Sequence, residues 1–276
     1  MEPARLRRAY VNGPFGQIHV RMAGSSRATR RPLLCFHLSP LSGVVYEAWL
    51  AEMGKDRLTV APDTPGFGMS DHPPEPPRIK DYAEAMSEVL DDLDVSEADV
   101  MGYHTGSKIA VELARLRPRQ IKHVVLVSAP IYTDEDLKQQ HVDNAHPEAA
   151  DDGSHLTAQW KGFWKFRGQG QTAEMLMRHF PDAIKGGARR AWGHAAAFAY
   201  KYPDTIGDVK APILVLNPND DLVRFTPRIL PYLKNCRVLD LPDWGHGFLD
   251  LHTEETAHIL RPFLDDDTWP KGARGP

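Results

Sequence analysis

Asp99-Val-Met-Gly-Tyr-His-Thr-Gly106 is a short apolar run that closes in a turn with glycine at both ends. It leads directly into Ser107-Lys-Ile-Ala-Val-Glu-Leu-Ala-Arg-Leu-Arg117, where Ile109, Leu113 and Leu116 recur at helical spacing. The whole reads as strand, sharp turn, helix. The two glycines let strand and helix approach closely, and the central one of the three residues between them is pushed to the tip with positive φ.

Working outward, the flanking chain alternates strands and helices. Residues 6–23 read as two short strands punctuated by Asn12-Gly13 and Gly16, with Ile18, Val20 and Met22 alternating. Pro32-Leu-Leu-Cys-Phe-His-Leu38 is a continuous apolar run, the mark of a strand buried on both faces of a parallel sheet. A helix over 44–53, a strand over 57–63 and an amphipathic helix over 81–94 follow. Further strands are expected at 121–129, 211–216 and 236–241. The closing helix over 253–264 is expected to kink at Pro262. Such alternation predicts an α/β fold, a mostly parallel twisted sheet of about eight strands flanked by helices. Regularity breaks at 134–207, which reads as a helical lid inserted into a core formed by 1–133 and 208–276. Its aromatics Trp160, Phe163, Trp164, Phe166, Trp192 and Phe198 read mostly as lid core, some of them facing an apolar pocket.

Composition narrows the function. The chain has 276 residues and a net charge of −4 with mixed signs, which speaks against nucleic-acid and membrane partners. Two cysteines, Cys35 and Cys236, are too few for a disulfide framework and fit a reduced, cytoplasmic protein. No secretory leader or membrane-length apolar run is seen. Self-association as a homodimer is left open.

Ligands of parallel sheets sit beyond the carboxyl ends of the strands, and the informative residues fall there. Gly102-Tyr-His-Thr-Gly106 has the frame of a nucleophile elbow, G-x-S-x-G, with His104 in place of serine. Asn217-Pro-Asn-Asp-Asp-Leu-Val223 is similar to an acid loop, with Asp221 at the acid position and Asp220 as the alternative one residue away. Pro242-Asp-Trp-Gly-His-Gly-Phe248 is similar to a catalytic-histidine loop, with His246 between glycines. Together with His37-Leu-Ser-Pro40 and Asp63-Thr-Pro-Gly-Phe-Gly-Met-Ser70, these motifs resemble the α/β-hydrolase superfamily in chain order, from about residue 15 to 265.

The resemblance implies a cofactor-free enzyme on a small-molecule substrate, with His104, Asp221 and His246 as an atypical triad. The backbone N–H groups of Ser39 and Thr105 would hold an oxyanion, and His37, Tyr103 and Trp244 would flank the substrate. The implied reaction is hydrolysis of an ester, thioester or lactone of an apolar or aromatic carbonyl compound. Two alternatives stand beside it: a lyase or cofactor-independent oxygenase of the same fold, and a non-catalytic binding protein with a degenerate elbow.

Imidazole at the tip is chemically able. It has a lone pair without prior deprotonation, and its ordinary pKa of roughly 6.5 leaves most of it neutral at pH 7. Either ring nitrogen lies further from Cβ than a serine oxygen, so water activation by the two histidines rivals direct attack. Two close imidazoles would depress each other's protonation. His104, His246 and Asp221 have the ligand types of a two-His-one-carboxylate metal site, but Asp221 is expected to lie behind His246, so no metal is expected.

Overall fold

The computed structural model describes residues 2–143 and 148–276. Eight strands form one sheet: β1 (Arg7–Gly13), β2 (Gly16–Ala23), β3 (Leu33–Phe36), β4 (Thr59–Pro62), β5 (Ala98–Tyr103), β6 (Ile121–Val127), β7 (Ile213–Pro218) and β8 (Cys236–Leu241). Their spatial order is β1-β2-β4-β3-β5-β6-β7-β8. Among these eight strands only the β1–β2 and β2–β4 pairings are antiparallel, so the six strands β4, β3, β5, β6, β7 and β8 run parallel and open at one common end.

The apolar runs explain the layering. Side chains alternate across a strand, so Leu34, Phe36 and Val100 enter one core while Leu33, Cys35, Met101 and Tyr103 enter the other. The first core is covered by α2 (Ile79–Asp92) and α3 (Thr105–Leu116), the second by α1 (Glu47–Met53) and α10 (Thr253–Asp266). Pro262 lies inside α10, as the sequence suggested.

Between β6 and β7 the described chain is helical: α4 (Asp134–Asp143), α5 (Ser154–Lys165), α6 (Ala173–Lys185), α7 (Trp192–Ala199) and the short α8 (Tyr202–Thr205). Positions 144–147 of this segment lie outside the described residues. Its aromatics are less enclosed than expected. Trp164 and Phe166 are exposed, because α5 buries no residue fully.

Asp63, at the end of β4, ties the front of the sheet together. Its buried carboxylate accepts from Arg21 Nη1 at 2.5 Å, from Gly43 N at 2.9 Å and from Met69 N at 2.9 Å, and pairs with His19 Nδ1 at 2.9 Å. Burial pushes this carboxyl up, but His19, Arg21 and the backbone donors outweigh it and hold the pKa below its ordinary value. The Gly-punctuated loop after β4 is therefore held by one buried anion. Among the described residues no helix is long and apolar enough to cross a membrane.

Candidate active site

The turn between β5 and α3 puts His104 at φ 49°, ψ −109°, the left-handed side of the backbone map that L-residues seldom occupy. Glycine is required on both sides. A Cβ on Gly102 would run into the backbone of Gly106, and one on Gly106 into the Phe36 carbonyl. The turn is pinned by His104 N donating to Val127 O at 3.0 Å. Ser107 does not face the site. Its hydroxyl donates to His104 O at 2.6 Å and accepts from Tyr202 Oη at 2.7 Å in the core.

Two adjacent carboxylates from the loop after β7 meet two imidazoles. His104 Nε2 lies 3.0 Å from Asp220 Oδ2, and His246 Nε2 lies 2.7 Å from Asp221 Oδ1. The one-residue alternative and the expected acid are thus both engaged, each on its own histidine. The ring centroids of His104 and His246 are 5.3 Å apart, edge to face. Tyr103 Oη is 3.3 Å from His246 Nδ1.

The surroundings fix the proton positions. Asp220 is buried and already accepts from Ser128 Oγ at 2.5 Å and Leu222 N at 2.8 Å. Burial pushes its carboxyl up, and His104 against it more than reverses this, so its pKa lies below the ordinary value. Asp221 is likewise held well below the carboxylate range, burial being outweighed by His246 and His104. Burial pulls the His246 imidazole down, but Asp221 and Asp220 raise it overall. For His246, the expected mutual depression of two imidazoles is therefore overridden by the carboxylates. Each Nε2–H donates to an aspartate, which leaves the lone pair on Nδ1. That of His246 accepts from Tyr103, whose phenol burial keeps protonated. No hydrogen bond among the described residues engages Nδ1 of His104.

Two adjoining cavities serve the site. One, of about 120 Å³, is mostly apolar and is lined by Leu38, Leu41, Val45, Phe163, Leu176 and Leu249 together with Ser39, Tyr103 and His246. The other, of about 370 Å³, is lined by His104, His246, Asp221, Ser39, Phe163 and Arg224, among others. The backbone N–H groups of Ser39 and Thr105 form no hydrogen bond among the described residues, so both are free to donate.

Two expected flanking residues lie elsewhere. His37 is buried and lines neither cavity. Its Nε2 accepts from Thr64 N at 2.9 Å and its Nδ1 donates to Leu38 O at 3.0 Å, so both nitrogens brace loops. Trp244 stacks on His252 at 4.7 Å and on Phe248 at 5.7 Å, away from both cavities. Ser128 was not singled out in the sequence. Its signal was its place just past the apolar run of β6, at a strand end. Lys108 was also missed. It sits buried one turn into α3, its Nζ 4.2 Å from the Tyr202 ring centroid.

The expectation that Asp221 stands behind His246, out of reach of a shared ion, is corrected by the geometry. One donor atom from each of His104, Asp220, Asp221 and His246 lies within 4.8 Å of every other. The cause is the consecutive pair Asp220-Asp221, which turns both carboxylates toward the imidazoles.

The model of the alpha/beta hydrolase fold family matches residues 31–253. The chain belongs to that family. Within it, a 2-hydroxymuconate semialdehyde hydrolase of Pseudomonas sp. (strain CF600) is 31% identical over 102 residues, a match that spans only 36% of either chain. A poly(3-hydroxyalkanoate) depolymerase of Ectopseudomonas oleovorans is 25% identical over 86% of this chain and 85% of its own. The crystal structure of an enol-lactonase from Burkholderia xenovorans LB400 superposes with a TM-score of 0.75, covering 91% of this chain and 99% of that one at 16% identity. At that identity the likeness is one of fold. The mostly parallel eight-stranded sheet is the fold the resemblance implied, and His104, Asp221 and His246 follow β5, β7 and β8.

Proposed function

We propose that this alpha/beta hydrolase fold protein is a hydrolase of an ester, thioester or lactone bond in a small apolar or aromatic carbonyl compound, with histidine in place of the elbow serine. The observation that carries the reading is the His104–Asp220 pair at 3.0 Å. A carboxylate behind an imidazole is the arrangement of a general base, because it fixes the tautomer and supports the cation that forms.

In this reading Nδ1 of His104 takes a proton from water as the water oxygen adds to the carbonyl carbon. The carbonyl electrons move onto oxygen, against the N–H groups of Ser39 and Thr105. Collapse of that oxyanion breaks the bond to the alcohol, enol or thiol, which leaves with the proton that His104 took from the water, so both imidazoles end neutral as they began. Asp220 and Asp221 are orienting groups, and the apolar cavity takes the acyl part. The names of the depolymerase and the semialdehyde hydrolase support hydrolysis.

The test is a panel of p-nitrophenyl esters, acyl thioesters and lactones, followed through turnover by intact-protein mass spectrometry. Hydrolysis without a protein adduct, abolished by His104→Asn, is expected. An acyl adduct on His104 would overturn the general-base assignment, and inertness across the panel would overturn hydrolysis itself.

A further inference from the structure

We infer that His104, Asp220, Asp221 and His246 form a binding site for one divalent first-row transition-metal ion, taken up between the two histidine–aspartate pairs. The inference does not rest on the hydrolytic reading, since the site is read by binding alone.

Geometry comes first. The four side chains each present a donor atom within 4.8 Å of the others. Metal bonds of 2.0–2.2 Å place neighbouring ligands about 3 Å apart and opposite ligands about 4.2 Å apart. The two hydrogen-bonded pairs, at 3.0 and 2.7 Å, already have the neighbour spacing. From 4.8 Å the widest separation must close by roughly half an ångström for opposite ligands of an octahedral ion and by about 1.4 Å for a tetrahedral one, whose ligands all lie about 3.4 Å apart.

Charge comes second. With both imidazoles neutral, two carboxylates leave these groups with a formal charge of −2, which a dication cancels. Asp220 is buried, so a metal would meet a carboxylate that water does not reach.

The supporting layer comes third. Metal-binding carboxylates and imidazoles work when their remaining atoms are held by hydrogen bonds. The far oxygen of Asp220, Oδ1, is held by Leu222 N at 2.8 Å, while Ser128 Oγ donates at 2.5 Å to Oδ2, the oxygen that faces His104; His246 is held by Tyr103 Oη at 3.3 Å through the nitrogen that faces away from Asp221. Binding would replace the proton on each Nε2 and move it to Nδ1. His246 Nδ1–H would then donate to Tyr103, a reversal its hydroxyl accepts by rotating.

Donor type selects the ion. Two imidazoles with two carboxylates suit Zn²⁺, Co²⁺, Fe²⁺ or Mn²⁺ and disfavour Mg²⁺ and Ca²⁺, which take oxygen sets. Protein donors occupy four positions, and a five- or six-coordinate ion would keep water in the remainder.

The probes are Co²⁺ and Zn²⁺ on chelator-stripped full chain. Co²⁺ is followed by its visible ligand-field absorption and Zn²⁺ by calorimetry. One ion per chain is expected, with affinity weakened about 100-fold by His104→Asn and by Asp221→Asn. Asp221 is about a third exposed, so its variant is expected to fold; equal melting temperatures check both. His72→Gln and His258→Gln, changes at exposed histidines remote from this cluster in sequence, should leave binding within about twofold. Absence of binding at millimolar Co²⁺ overturns the inference, as does binding that both site variants retain in full. Hydrolysis without metal uptake would defeat this inference alone. Metal uptake with no hydrolysis in either form would defeat the hydrolytic reading alone.

Discussion

His104 Nε2 faces Asp220 Oδ2 at 3.0 Å, and that contact sets which nitrogen of the elbow residue can react. The Nε2 proton is committed to the carboxylate, so the lone pair rests on Nδ1. Of the two ring nitrogens, Nδ1 is the nearer to Cβ, and so the nearer to where a serine oxygen would stand.

Removing the charge of Asp220 while keeping its shape should therefore misplace a proton. Asp220→Asn offers His104 either an N–H or a carbonyl, and the imidazole loses its preference for one tautomer. A fall in kcat/KM of about 100-fold or more is expected, with KM changed far less than kcat. Steady-state kinetics on the best ester of the panel measure it. A variant within about threefold of the parent would mean that Asp220 merely packs.

Most of the fold could be read from residue patterns. Gly102 and Gly106 bracketing Tyr103-His104-Thr105 announced the elbow, and the runs in β3, β6 and β7 announced buried parallel strands. The site was less legible because tertiary contacts decide it. Nothing in Asn217-Pro-Asn-Asp-Asp-Leu-Val223 says that both aspartates turn toward histidines, nor that Ser128 reaches across from the neighbouring strand. His37 and Trp244 looked like flanking residues from their motifs, and both are taken up by packing and loop hydrogen bonds.

The elbow glycines carry a steric prediction. Gly106→Ala places a methyl group against the Phe36 carbonyl, which belongs to β3 and cannot swing aside as a side chain would. A loss of about 3 kcal/mol or more is expected. Urea denaturation should show a lower midpoint at unchanged slope. A midpoint equal to that of the parent would mean that α3 can tilt away from β3.

Asp63 predicts a larger loss from a single carboxylate. Asp63→Ala leaves the Arg21 guanidinium and the Gly43 and Met69 amides without their shared acceptor inside the protein. Breaking a buried pair in this way costs about 3–5 kcal/mol. The parent's advantage should also fade in acid. This carboxyl has a folded pKa below its unfolded value, so its contribution is present above about pH 4 and is lost as pH falls through the folded pKa. Melting curves of both proteins at neutral and acidic pH test the size and the direction together.

Lys108 supplies the opposite pH signature. Burial lowers its pKa to about 7. The Tyr202 ring 4.2 Å away and the Tyr132 ring at 5.9 Å give it cation–π contact, and no salt bridge to it is formed among the described residues. An unfolded lysine titrates near 10.4, so between about pH 7 and pH 10 the unfolded chain binds the extra proton. Stability then rises with pH across that window, and the cost of burying the ammonium is fully present only below about pH 7. Lys108→Met, which keeps the length of the side chain without its charge, should stabilise the protein by on the order of 2–4 kcal/mol at pH 6. That gain should shrink steadily toward pH 10, where the folded amine is neutral and the unfolded one is approaching its own pKa. Denaturation of the two proteins at pH 6, 8 and 10 gives the difference directly. A gain that is constant with pH would assign the effect to packing rather than to charge.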